Sequence, residues 1–460
     1  MAWYRKMVFG SLTRSLVYTF VTIVSVAVMA DEPASWTRLL GNNADGVAVT
    51  EWDFNWTQQP SLLWSLPVGD GYGLGAVWGN EYYQADAIQN ASATLSRLRC
   101  IDLQTGSVKA DESRVLSYRD MYGYEVGPRA TPTLDEDYVF TLGVSGELVC
   151  RDRRTLQTRW VVNTKKKYGV IQNFFGVGSS PLLLGDWVIV MVGGSPAESQ
   201  TLPPGQLDRV DPNGSLLVAF DKKTGEERWK SGNDLASYSS PRTVVIDGKT
   251  FVLAFARSGL VCIDARVGKV AWKYDHRAGI VESVNAMMPV VFGDEVFVSE
   301  CYQVGSVLLK ASPDKADALW KDPAKNRRKQ AMRVHWSTPV LVNGYLYGCS
   351  GRNAVDSDFR CVEWSTGEVM WVDERRSRSS VTRVGEALLV LDESGGMQVI
   401  RADPTKLNVI SEWDFSGDDG GTVALSYPCW AAPIVVGDKM LIRGDQNVLC
   451  FSLNPMETGP

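Results

Sequence analysis

Short apolar runs separated by tight polar turns fill the chain from about residue 60 onward, and few long helical periods interrupt them. One phrase recurs: an apolar strand, an acidic residue, a Thr-Gly or similar turn, then Trp. It reads Leu148-Val149-Cys150-Arg151-Asp152 running to Trp160, then Ala219-Phe220-Asp221 with Thr224-Gly225 and Trp229. Leu260-Val261-Cys262-Ile263-Asp264 with Gly268 and Trp272, and Phe359-Arg360-Cys361-Val362-Glu363 with Thr366-Gly367 and Trp371, are further copies. Weaker copies end at Trp320 and Trp413, and Cys100-Ile101-Asp102 with Thr105-Gly106 lacks the Trp. The Trp-to-Trp intervals run from 42 residues (Trp371 to Trp413) to 69 (Trp160 to Trp229), the span of a four-stranded unit with variable loops.

A second signature precedes each phrase: apolar strand, tight acidic or Gly turn, apolar strand, as in Pro181 to Val190. Eight such pairs begin near Ala76, Thr131, Ser180, Pro241, Pro289, Pro339, Val381 and Pro433. The pattern predicts an all-β chain, an eight-bladed β-propeller of four-stranded antiparallel blades. The last unit ends at Leu453 without a fourth strand, while Leu62-Leu63-Trp64-Ser65-Leu66 matches the Trp-bearing outer strand. An N-terminal strand is therefore expected to close the ring, giving one domain over 61–460. In each unit the Trp is expected to fill the gap between neighbouring blades, and the Asp and Thr-Gly to form a tight turn.

Residues 1–30 read as a signal peptide: Arg5, Lys6 and Arg14 lead an apolar stretch of about 14 residues from Leu16 to Met29, ending at Ala30. That is short of the roughly 20 residues a spanning helix needs, so an exported protein, periplasmic or secreted, with no transmembrane helix in the mature chain is expected. Residues 31–60 form a leader segment. The net charge of -6 argues against a nucleic-acid partner.

Eight cysteines in an exported chain invite a disulfide reading, but Cys100, Cys150, Cys262 and Cys450 occupy one repeated position in different units, too far apart to pair. They read as small buried core residues. Cys349 and Cys361 flank one hairpin, where both a bridge and two free thiols remain open.

Asp-x-x-Thr-Gly-x-x-x-Trp within eight units resembles the docking motif of pyrroloquinoline-quinone (PQQ) type propellers, and Trp36 to Gly46 is similar to the leader of exported bacterial members. That superfamily includes quinoprotein alcohol dehydrogenases and the non-enzymatic propeller lipoprotein of the outer-membrane assembly machine, so the fold does not choose the function. The resemblance to the dehydrogenases implies PQQ with calcium, a Trp against the quinone, and a disulfide of adjacent cysteines. This chain has no adjacent cysteines.

Propeller geometry gathers the residues at the start of each blade around the channel mouth. Long loops at Asp86 to Arg97, Gly193 to Gly214 and Gly351 to Asp358 are expected to decorate that face, with tight turns opposite. His335 and Glu282 are candidate catalytic groups, His335 because a base near neutral pH would be an imidazole. Candidate cofactor-binding residues are Arg129, Asn285, Trp336, Arg378 and Trp430, and candidate calcium ligands are Glu282, Asn285 and Glu300. The plain structural alternative for each is a loop hydrogen bond or ion pair. Tyr72, Tyr122, Tyr124 and Phe174 are aromatics able to stack on a sugar or peptide. The leading expectation is a binding or scaffold propeller whose partner is a periplasmic protein or a small-molecule ligand. The alternative is a PQQ-dependent oxidoreductase of the alcohol or sugar dehydrogenase type, using the central funnel.

Overall fold

The computed structural model describes residue 1 and residues 34–50, 53–374, 376–417 and 424–454. The signal-peptide reading therefore lies, past Met1, outside the described residues. Ala34–Pro460 forms one unit. Among the described residues its strands make eight sheets, seven built on four consecutive antiparallel strands and the eighth on three C-terminal strands and one N-terminal strand, and Thr164–Tyr168 is the one α-helix. The eight expected strand pairs are the inner strands of these blades, from Ala76–Trp78 in blade 1 to Ile434–Val436 in blade 8. Ser61–Pro67 pairs with Asn447–Ser452 and stands as the outermost strand of blade 8. Every outer pair carries a register shift at the same place, for example between Cys150 and Arg151 and between Cys262 and Ile263, a bulge that adds twist.

The Trp residues act across the blade junctions. Trp64 Nε1 donates to Leu103 O at 2.9 Å, Trp160 to Lys222 O at 3.0 Å, Trp272 to Ser312 O at 2.9 Å, Trp320 to Trp364 O at 2.7 Å and Trp371 to Asp403 O at 2.9 Å. Three of these acceptors, Leu103, Lys222 and Trp364, directly follow the acidic turn residue of the next blade, Asp102, Asp221 or Glu363. Two of these turns show why Gly is needed: a Cβ on Gly106 or Gly225 would sit 2.6 Å from Trp64 or 2.7 Å from Trp160. Both also have positive φ, 71° and 74°. Blades 1 and 7 lack Trp at this position, carrying Ala110 and Ser411. Opposite Ala110 the facing turn of blade 2 carries Leu156, buried at φ 56°, which fills the vacated space.

All eight cysteines are free and buried. Cys100, Cys150, Cys262, Cys361 and Cys450 each face the docking position of the adjacent strand, opposite Ala110, Trp160, Trp272, Trp371 and Trp64. The bridge left open for Cys349 and Cys361 does not form: Cys349 pairs across the ladder with Phe359, and Cys361 with Tyr347. The expected loop Asp86 to Arg97 is instead a long hairpin, Glu81–Gln89 with Thr94–Asp102, stiffened by Arg97 donating to both carboxylate oxygens of buried Asp86 at 2.6 and 2.8 Å.

The leader does more than precede the ring. Ser35–Trp36 pairs with the inner strand of blade 1 near its tight turn, and Val47–Ala48 runs parallel to the inner strand of blade 7. Between them the backbone reaches blade 2 through Leu134 N to Thr37 O (2.8 Å) and blade 4 through Arg242 to Asn43 O (3.3 Å). Leu40 and Ala44 pack on Met288 beside blade 5. Residues 35–48 thus cross the channel.

Candidate functional site

Because every inner strand starts at the decorated face, the residues just before these strands converge on the channel there. They line a cavity of about 300 Å³ together with Trp36, Leu39 and Leu40 of the leader, which form its far wall. The result is a blind cup, at the small end of the usual range for ligand pockets.

Its mouth is aromatic. Trp430 stands 4.8 Å from Tyr72, 5.6 Å from Trp336 and 6.4 Å from Tyr124; Tyr124 stands 5.2 Å from Phe175, and Phe175 5.6 Å from Tyr238. Most rings are tilted by 45° to 55°, so edges and faces both meet the cavity. Tyr122, Tyr124 and Tyr427 carry the aromatic surface outward to solvent.

Two guanidiniums are held within this collar. Arg378 lies over Trp336 at 4.9 Å and Trp430 at 5.3 Å, and binds Glu393 Oε2 through Nε at 2.8 Å and through Nη2. The same oxygen accepts from Trp430 Nε1 at 3.1 Å, so one buried carboxylate fixes both side chains. Arg129 lies over Tyr72 at 5.6 Å and Tyr118 at 5.7 Å, and donates to Asp120 at 3.0 Å. Glu393 and Asp120 escaped the sequence reading; an acidic residue where a loop leaves the second strand, as Glu393 follows Asp392, was the available signal.

His335 lies in the cup wall, edge-on to Trp336 at 5.1 Å and 3.4 Å from Tyr302 Oη through Nε2. Burial, reinforced by the charges of Arg352 and Arg378, pushes its pKa down to about 3. The imidazole is neutral near pH 7, and a base titrating there, the property sought in it, is not what this environment provides. The other histidine, His276, is buried and held to about 4.

The structure brings His335, Arg129, Trp336, Arg378 and Trp430 together in the cup. It does not bring in the rest. Asn285 is fully buried outside the cup lining, its amide donating to Ala256 O at 2.8 Å and His276 O at 3.1 Å. Glu300 accepts from Ser283 Oγ at 2.7 Å and from the Gln303 and Val304 amides at 3.0 Å, closing a local turn. Glu282 is exposed. No group of three or more His, Cys, Asp or Glu side chains able to hold a metal ion stands among the described residues. The residues present do not fit a calcium-held quinone: the two cup arginines already have carboxylate partners, and the expected calcium ligands face elsewhere.

Comparison with known proteins agrees with this architecture. A family model described as outer membrane protein assembly factor BamB matches residues 212–337. The crystal structure of BamB from Moraxella catarrhalis superposes with a TM-score of 0.54 at 14% identity, covering 88% of this chain and 99% of that one. Quinohemoprotein alcohol dehydrogenase from Comamonas testosteroni gives 0.59 at 12% identity, covering 93% and 82%. The quinohemoprotein alcohol dehydrogenase ADHIIG of Pseudomonas putida HK5 gives 0.61 at 12% identity, also covering 93% and 82%. An uncharacterized protein of Rickettsia prowazekii (strain Madrid E) is 19% identical over 210 residues, 44% of this chain; the match spans about half, 48%, of that relative. By fold the chain is an eight-bladed β-propeller similar to the PQQ-type propellers. No helix among the described residues is long and apolar enough to cross a membrane.

Proposed function

We propose that this chain is an exported binding propeller that receives a ligand or a partner's side chain in the aromatic cup, with the decorated face around it as the contact surface. One observation carries the reading: the channel holds a shaped, aromatic-lined cavity with a closed floor, while the carboxylates and amide that metal-assisted chemistry would need are engaged in loop hydrogen bonds or stand outside it. Export rests on the N-terminal sequence, and likeness to an assembly factor favours a protein partner.

A PQQ-dependent oxidoreductase is the second reading, favoured by the position of the cup and by Trp336 and Trp430 in its wall. Titration with PQQ, with and without calcium, separates the two through intrinsic Trp fluorescence. The binding reading expects no saturable calcium-dependent quenching up to about millimolar PQQ, which corresponds to only about 4 kcal/mol of affinity. Saturable quenching that requires calcium and disappears in Trp336→Ala would put the oxidoreductase first.

A further inference from the structure

We infer that the cup is a site for an uncharged aromatic molecule of low polarity. This rests on the binding reading and adds the chemical class of the ligand.

Most hydroxyls of the wall already make a hydrogen bond to the backbone. Thr131 Oγ1 donates to Leu74 O at 3.0 Å and Ser380 Oγ to Trp430 O at 2.7 Å; Ser240 Oγ accepts from Ser180 N at 2.8 Å and Thr338 Oγ1 from Met288 N at 3.0 Å. Tyr72 and Tyr238 accept from the backbone amides of Glu125 and Phe175 at 3.2 and 2.9 Å. A sugar brought into this cup would find few open acceptors for its own hydroxyls, and each one left unpaired would cost about 1–3 kcal/mol.

Charged ligands fare no better. A cation seeking the ring faces meets Arg378 on Trp336 and Trp430 and Arg129 on Tyr72, already in the positions it would take. An anion would have to compete with Glu393 and Asp120 for the same guanidiniums. The remaining surface is apolar: Leu39 and Leu40 at the floor, with Val284, Ala286, Met288 and Ile434. The buried His335 Nδ1, Trp336 Nε1 and Ser337 Oγ have no partner among the described residues, which leaves room for two or three polar atoms on an otherwise apolar ligand. Tilted rings on several sides suit a planar guest through edge and offset contacts.

The probe is N-phenyl-1-naphthylamine, a neutral aromatic amine that brightens in apolar sites and takes excitation energy from Trp. Titration into the full chain is expected to give saturable one-site binding with quenching of Trp emission. Ala286→Phe, which fills the cup, weakens it about tenfold or more, roughly 1.4 kcal/mol. Val355→Ser, at a 96% exposed apolar residue outside the cup, leaves it unchanged. If Ala286→Phe fails to fold, Ala431→Phe, in the cup lining before blade 8, serves the same purpose. Absence of saturation, equal affinity in a folded cup-filling variant, or displacement by choline or maltotriose overturns the inference. Failure here without calcium-dependent PQQ quenching removes only the ligand class; PQQ quenching removes the binding reading beneath it.

Discussion

Substituting Gly106 tests the blade-docking geometry at the seam between blade 8 and blade 1. Two separate costs are legible. The residue has φ 71°, which an L side chain adopts at about 1–2 kcal/mol. Its new Cβ would also lie 2.6 Å from Trp64 Cγ, and overpacking of that kind costs about 1–3 kcal/mol. Gly106→Ala is thus expected to destabilise by about 2–5 kcal/mol. In a Trp64→Ala background, which itself costs about 3–5 kcal/mol, the ring contacts are gone and only the Cβ of residue 64, 2.9 Å away, is left to yield, so most of the steric cost is relieved and the backbone cost remains. A double-mutant cycle read by urea unfolding, monitored by far-UV circular dichroism, should show a coupling of about 1–3 kcal/mol. Equal cost of Gly106→Ala in both backgrounds would refute the ring-on-glycine account. The Ala110 and Leu156 pair is the same cycle already present in the sequence, with the backbone cost accepted and the ring absent.

Other expectations follow from the seam, the histidines and the thiols. Burial, together with the adjacent Asp445 and Asp70, raises the Glu125 pKa from 4.5 to about 8, so the folded state keeps a proton that the unfolded chain releases. The stability this contributes is complete below about pH 4.5 and is lost as pH rises through 8. Glu125→Gln should therefore flatten the decline in urea midpoint between pH 5 and 9, and an unchanged slope would count against it. His335 and His276 are depressed to about 3 and 4, so stability tied to them is present above pH 6.5 and falls on acidification through that window. NMR titration should show neither imidazole protonating between pH 5 and 8, and a midpoint near 6.5 for His335 would contradict its packing. A thiol reagent should find all eight cysteines only after denaturation without reductant.

The ring was legible because its signals are local. Asp, Thr-Gly and Trp lie within one turn and two strands, and most blades repeat all or part of the set. Five of the site candidates landed in the cup because position at the start of a blade fixes direction toward the channel. Asn285 has the same position but turns its amide back to the carbonyls of Ala256 and His276, a local hydrogen-bond choice that composition does not reveal. The floor was missed for a different reason. The leader strands are two residues long and pair with partners such as Val384, far along the chain from Ala48, so they leave no periodicity to read. The hairpin of blade 1 reads as a loop in the sequence because Asp86 and Arg97 look like solvent-exposed charges, whereas Asp86 is buried and paired with Arg97.

The cup depends on residues 35–48 lying across the channel, and hydrogen–deuterium exchange on that segment tests this directly. Amides of Ser35–Trp36 and Val47–Ala48, paired to blades 1 and 7, are expected to be protected for as long as the inner strands they join. Exchange of the whole segment within seconds, while the blades stay protected, would mean an open channel and no floor for a ligand.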